Sequence, residues 1–362
     1  MKIVQVCPRY HPHIGGVETH VREISERLVK RGFEVEVVCT DPSGKLPRKE
    51  VLNGIDITRF PSIAPKSTIF FSRSIIRYLK RCEYDIIHAH NYHALPAYFA
   101  ALASRDNLVF TPHYHGKGSI GITNILLRPY KLLGRKIFEK AKVVICVSEY
   151  EKNLVLRDFH LEPSKIAVIP NGIDLEAIQK AEPYEFDGDL ILYIGRLERY
   201  KHIDVVIRAM PLIPDAKFFI IGGAGNYRSE LLGLVKQLGL EERVKFLGHV
   251  SDEEKYRWLK TCSLLVNLSD TEAFGITVLE ALAAGKPVIV NPKSALGEFV
   301  GKFEGVYAIH VKKECSYEMI NVLSNLVTVK MKMMDKNELK CYNWDSIIQK
   351  TIEVFINLNN VI

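Results

Sequence analysis

The segment with the clearest capacity for chemistry is DTEAFGITVLEALAAGKPVIV, residues 270–290. Glu272 precedes a turn containing Gly275, and an apolar run follows. This spacing predicts a helix that begins near Ile276 and carries Glu280 about one turn inside it. The first amides of a helix lack intrahelical acceptors. Those of Gly275, Ile276 and Thr277 are therefore free for phosphate oxygens or sugar hydroxyls. Carboxylates are good hydroxyl acceptors, so Glu272 and Glu280 suit different parts of one extended ligand that carries ribose and sugar rings.

Cations accompany the carboxylates. Arg196 and Lys201 follow the strand-like run LILYIG, and Gly195 lets the chain turn away. A guanidinium fork and a compact ammonium together suit a pyrophosphate. Gly15 and Gly16 separate a first strand from a first helix, which fits either a tight turn or close approach to a phosphate. The pair is not G-x-G-x-x-G, so no dinucleotide cofactor is implied. Histidines gather in DIIHAH (His88, His90), at His93 and in TPHYHG (His113, His115). Two H-x-H pairs suggest a metal at first sight, but no Asp, Glu or Cys completes a compact ligand set, and none is expected. Asp187-Gly188-Asp189 lies just before a strand and reads as a turn.

These residues sit on alternating strand and helix signals. Val17, Val21, Ile24 and Leu28 recur at helical spacing, and Gly32 supplies the stop. Strand runs follow in KIVQVC, FEVEVVCT, DITRF, DIIHAH, NLVFTPH and KVVICVS. The Pro-, Gly- and Asp-rich stretch KIAVIPNGIDLEAIQKAEPYEFDGD interrupts the rhythm and reads as a linker. A second series runs through LILYIGR, KFFIIGG, RVKFLG, SLLVNLS and KPVIVN. The chain closes on a helical pattern containing Trp344, Ile347, Ile348, Ile352 and Phe355. The prediction is α/β, with two doubly wound Rossmann-like domains over residues 1–175 and 176–340 and a terminal helix over 341–362. Ligands then belong at the carboxyl ends of the strands.

Composition narrows the class. A chain of 362 residues exceeds what one core usually serves. No apolar run reaches the roughly 18 residues of a membrane span, and the N-terminal run is too short for a signal peptide. Seven scattered cysteines without C-x-x-C fit reduced thiols in the cytoplasm. Residues 1–170 hold 26 basic and 16 acidic side chains, a net of +10, whereas the remainder nets −3. The first half therefore favours an anionic partner. No RNA-binding or helix-turn-helix signature accompanies the charge, so nucleic acid is not expected. A sugar-nucleotide epimerase remains the alternative enzyme class, and a non-catalytic basic binding protein a weaker one.

Taken in order, HPHIGGVETHVREISERLVKRGFEVEVV, DIIHAH, VFTPHYHG, VICVSE, IPNGID, LYIGRLERYK, IIGGAG, VKFLGHV and TEAFGITVLEALAAGKPVIV resemble the retaining glycosyltransferases of family 4. The resemblance covers nearly the whole chain. It implies the GT-B architecture, two Rossmann-like domains facing a central cleft, with the terminal helix crossing back to the first. It also implies hexose transfer from a UDP- or GDP-linked donor, without metal or cofactor, to a glycan or lipid-linked acceptor. By that resemblance Gly15 and Gly16 lie against the donor diphosphate or sugar, and His113 against the transferred sugar. Arg196 and Lys201 hold the pyrophosphate, Glu272 sugar hydroxyls and Glu280 the ribose, while backbone groups near Val250 hold the base. Basic amphipathic stretches at residues 124–140 and 66–81 suggest peripheral attachment to the cytoplasmic face of a membrane.

Overall fold

The computed structural model describes residues 1–13, 15–64, 70–116, 123–223, 225–311 and 336–360; for 123–131 and 336–337 it describes the backbone alone. The chain divides into two compact units, Met1–Gly172 with Trp344–Ile362, and Ile173–Asn343. The boundaries fall three residues before and three residues after those read from linker composition.

Unit 1 is built on an eight-stranded sheet ordered β3-β4-β2-β1-β5-β6-β7-β8. Its strands are β1 (Lys2–Val6), β2 (Glu34–Asp41), β3 (Lys49–Leu52), β4 (Ile55–Pro61), β5 (Ile86–His90), β6 (Leu108–Thr111), β7 (Val143–Cys146) and β8 (Ile166–Val168). All neighbours run parallel except β3 and β4. The helices are α1 (Gly16–Lys30), α2 (Ser74–Arg81), α3 (Leu95–Ala103), α4 (Thr123–Lys140) and α5 (Glu149–Phe159). Val21, Ile24 and Leu28 of α1 are buried against the sheet, as their spacing predicts. Two strands of unit 1 depart from the sequence reading. β3 is an antiparallel edge strand absent from it, and β8 lies inside the stretch read as linker, where it pairs with β7.

Unit 2 carries a wholly parallel sheet ordered β11-β10-β9-β12-β13-β14. These strands are β9 (Asp189–Ile194), β10 (Ala216–Ile221), β11 (Val244–Gly248), β12 (Leu264–Asn267), β13 (Val288–Val290) and β14 (Val306–Ala308). Its helices are α6 (Leu175–Lys180), α7 (Ile203–Ala209), α8 (Arg228–Gln237), α9 (Asp252–Thr261), α10 (Ile276–Ala283) and α11 (Lys336–Leu339). β9, β10, β12 and β13 contribute Ile191, Phe218, Val266 and Ile289, all almost wholly buried, to the core. The terminal helix α12 (Trp344–Asn359) belongs to unit 1, where Trp344, Ile347, Ile348 and Phe355 join the core of α1 and β1. Gly172 makes room for it, since a Cβ there would lie 2.4 Å from the Trp344 ring.

Candidate active site

In each sheet the chain leaves one central strand for neighbours on opposite sides, which opens a crevice at the strands' carboxyl ends. In unit 2 the switch lies between β9, flanked by β10, and β12. The segments leaving these two strands carry Gly195, Arg196 and Lys201, and then Glu272 and Gly275.

The turn after β9 is tightly built. Gly195 donates its N–H to the Ile221 carbonyl at 3.0 Å. A Cβ at Gly222 would come within 1.9 Å of the Gly195 carbonyl oxygen, so only glycine allows the β10 exit to cross here. Tyr193 is buried and donates its hydroxyl to the Arg196 carbonyl at 2.8 Å. The Arg196 side chain is exposed, with Nη2 donating to the Tyr200 hydroxyl at 2.7 Å. Lys201 is buried and its ammonium pairs with the Glu272 carboxylate. The two residues read from sequence as binding different ligand groups therefore neutralise each other. His202, in a left-handed conformation, bonds Asp270 at 2.8 Å, and Asn291 donates to the same carboxylate at 2.8 Å. Burial raises the Asp270 pKa, but these bonds and the His202 and Lys293 charges outweigh it and leave the group below its ordinary value.

α10 begins at Ile276, as the sequence predicts. Gly275 is its N-cap at φ 109°, and a Cβ there would press to 2.4 Å from Leu296. Helix geometry leaves the amides at Gly275, Ile276 and Thr277 without intrahelical acceptors. The Thr277 hydroxyl accepts from Asn267 at 3.5 Å. Glu280 is almost wholly buried and receives Lys255 Nζ at 2.7 Å. Val250 is half-buried after β11, just before Ser251 caps α9. Asp189 is the first residue of β9 and accepts from the Ser263 hydroxyl at 3.0 Å.

In unit 1 the switch lies between β1, flanked by β2, and β5. Gly15 is extended, and a Cβ there would sit 2.5 Å from the Glu18 carboxylate. Among the described residues, nothing beyond its chain neighbours and its own helix backbone lies within 4 Å of a Cβ at Gly16. Glu18 is buried and bridged by Arg9 at 3.0 Å. His88 and His90 share a face of β5, with ring centroids 4.0 Å apart. His90 Nε2 meets Gln5 Oε1 at 2.7 Å, and His88 Nε2 meets the Thr111 hydroxyl at 2.8 Å. His113, at φ 49°, follows β6 and lies 5.0 Å from the His20 ring, centroid to centroid. His93 and His115 stack at 4.7 Å.

The His113 loop is held from behind. Glu151 accepts the Tyr114 amide on one oxygen and the Val147 amide, at 2.6 Å, on the other. Burial pushes this carboxyl up to about 8 against those two bonds. The Tyr114 hydroxyl donates to Asp158 at 2.7 Å.

His20, on α1, is the residue that sequence spacing concealed. One of its ring nitrogens and one from each of His90 and His113 lie within 4.8 Å of one another, the one group of three possible metal ligands among the described residues. The third ring, which joins one member of each H-x-H pair, arrives from another element, and the group contains no Asp, Glu or Cys. Burial lowers His20 to about 4 and His90 and His113 well below their ordinary value, so all three are neutral. Neutral imidazoles suit zinc-class ions rather than magnesium or manganese.

Two family models match adjoining parts of the chain, "Glycosyltransferase Family 4" over residues 14–177 and "Glycosyl transferases group 1" over 175–337. The chain belongs to the family 4 glycosyltransferases. This glycosyltransferase is 29% identical to an uncharacterised glycosyltransferase of Methanocaldococcus jannaschii, over 98% of both chains. It is 27% identical to the gpi3 component of the phosphatidylinositol N-acetylglucosaminyltransferase of Schizosaccharomyces pombe, over 96% of this chain and 78% of that one. In fold it is similar to Anabaena HepE, solved with UDP and glucose, at a TM-score of 0.77 and 20% identity over 99% and 100% of the chains. The hexosyltransferase class thus agrees with the GT-B pair of parallel-sheet domains.

Proposed function

We propose that this glycosyltransferase moves a hexose from a UDP- or GDP-linked donor to a glycan or lipid-linked acceptor, with retention at the anomeric carbon and without a metal. The observation that carries the reading is the convergence in unit 2 of Arg196, Lys201, Glu272 and the α10 N-terminus on the switch point of one sheet. Arg196 and Lys201 face the diphosphate, Glu272 the sugar hydroxyls and Glu280 the ribose, while the backbone near Val250 meets the base. In unit 1, His113 lies against the transferred sugar. Glu18, bridged by Arg9, places a hydroxyl acceptor beside Gly15. Gly15 and Gly16 lie against the donor diphosphate or sugar. The open space at Gly16 leaves its backbone approachable.

Chemically, the acceptor oxygen forms a bond to the anomeric carbon on the face that the diphosphate leaves. The acceptor proton passes to a phosphate oxygen of the departing nucleotide. The protein contributes positioning and cationic stabilisation of the leaving group. A lipid acceptor is supported by similarity to a transferase named for phosphatidylinositol. Among the described residues no helix is long and apolar enough to cross a membrane. Peripheral attachment at the cytoplasmic membrane face completes the proposal.

The decisive experiment screens nucleotides and nucleotide sugars for thermal protection, since a selective ligand raises apparent stability. The protecting donor is then incubated with lipid and glycan acceptors. NMR of the product reads the anomeric configuration. Inversion would refute retention, and epimerisation without an acceptor would refute transfer.

A further inference from the structure

Glu280 has two oxygens in different circumstances. Oε1 accepts from Lys255 Nζ at 2.7 Å. Oε2 is buried and has no partner among the described residues. The Lys255 side chain, from α9, is 17% exposed and that of Glu280 5%, so the pair is largely withdrawn from water. Lys255 also donates to Asp252 at 3.0 Å and lies over the Tyr256 ring at 4.6 Å. An unmet acceptor oxygen on a buried carboxylate is costly, and a ligand hydroxyl would satisfy it. The motifs that carry the family resemblance give Lys255 no role.

We propose that Lys255 is a positioning residue of the nucleotide subsite: it occupies Oε1, fixes the Glu280 carboxylate inside unit 2, and leaves Oε2 to accept one ribose hydroxyl. This rests on the reading in which Glu280 meets the ribose. The groups facing Glu280 are Lys255, Asp252 and Tyr256. Burial raises the Glu280 carboxyl, and the Lys255 charge and hydrogen bond oppose it. Burial would lower Lys255, yet Glu280 and its neighbours hold it well above its ordinary value. With the lysine removed, burial acts on Glu280 without that opposition and raises the carboxyl further. A protonated carboxyl is a poorer acceptor.

The test titrates the full chain with UDP, GDP and ADP by calorimetry from about pH 6 to about pH 9, since a raised carboxyl makes binding depend on pH. Wild type should bind its preferred nucleotide with little pH dependence. K255M should bind it about 10- to 100-fold more weakly at neutral pH, the range for one charge-assisted hydrogen bond. Its affinity should recover as pH rises and Glu280 ionises, and K255R should stay near wild type. K255M affinity equal to wild type, or lowered by one constant factor at every pH, overturns the proposal. Removing the lysine alone strands a buried charge and threatens the fold. K255M/E280Q, which removes both charges, keeps the test open. Its affinity must equal that of E280Q, because Lys255 acts only through Glu280; a further drop overturns the proposal. E280Q with undiminished affinity overturns the ribose reading itself, whereas E280Q weakened and K255M unaffected overturns the role of Lys255 alone.

Discussion

Lys201 and Glu272 form an ion pair at the carboxyl ends of the neighbouring strands β9 and β12. A phosphate arriving there competes with the carboxylate for the ammonium, so donor binding and opening of the pair are coupled. E272Q releases Lys201 and should leave nucleotide affinity at or above wild type. The same change removes a hydroxyl acceptor and should slow transfer by about 10-fold or more. K201M should lower both. A calorimetric double-mutant cycle should show non-additivity of about 0.5–3 kcal/mol. Equal losses of nucleotide affinity in E272Q and E280Q would contradict this division of labour.

Arg196 is separable from folding. Its side chain is exposed, and its bond to the Tyr200 hydroxyl lies at the surface. R196A should therefore change stability by no more than about 0.5 kcal/mol. Turnover should fall about 10²–10³-fold, by analogy with loss of one oxyanion donor. Normal transfer by a folded R196A removes the pyrophosphate role.

The strands that position these residues were readable because parallel strands are covered on both faces and become continuous apolar runs. LILYI, KFFII and LLVN are such runs. β3, KEVL, alternates exposed and half-buried residues at a sheet edge, and β8, IAV, is short and half-buried throughout. Neither rises above its loop-like surroundings. α10 was legible because a glycine N-cap precedes a run in which only Thr277 and Glu280 are polar. His20 and Lys255 were not, because their partners are distant in sequence. His20 meets rings from β5 and the loop after β6. Lys255 follows three acidic residues in a helix start that reads as solvated, and Glu280 lies 25 residues on.

The buried imidazoles of unit 1 predict acid sensitivity. Burial holds His20 down to about 4, and His88, His90 and His113 well below their ordinary value. Below about pH 6.5 the unfolded chain takes up protons that the folded unit refuses. Their effect is absent above that pH, and stability is lost as pH falls from about 6.5 towards about 4. Each such ring removes about 1.4 kcal/mol per pH unit while its shift lasts. Thermal unfolding across this window should show a steady fall in Tm. A flat profile would mean that these rings are charged in the native protein.

Transfer should be independent of magnesium and manganese. Those ions seek oxygen ligands, whereas the His20, His90 and His113 group offers only imidazole nitrogens. Arg196 and Lys201 can supply the charge at the leaving group. Activity after exhaustive chelation should match the untreated enzyme. Complete loss, restored by either ion, would defeat this prediction.

Membrane attachment gives the last test. On α2, Arg77, Lys80 and Arg81 are exposed, with Arg73 just before it, while Ile75 and Leu79 are buried beneath. On α4, Arg135, Lys136 and Lys140 are exposed with Leu132, whereas Ile137 is buried. Lys66 lies outside the described residues, as do the side chains of Leu127, Arg128, Tyr130 and Lys131. α3 packs against both helices. Each near-surface cation gains about 1 kcal/mol on an anionic bilayer. The protein should co-sediment with phosphatidylcholine vesicles containing phosphatidylserine at low salt, less so as salt rises, and not with phosphatidylcholine alone. No binding at low salt ends the membrane proposal. Changing Arg135, Lys136 and Lys140 together to Glu should abolish co-sedimentation. Binding that survives this reversal would mean that attachment uses another surface.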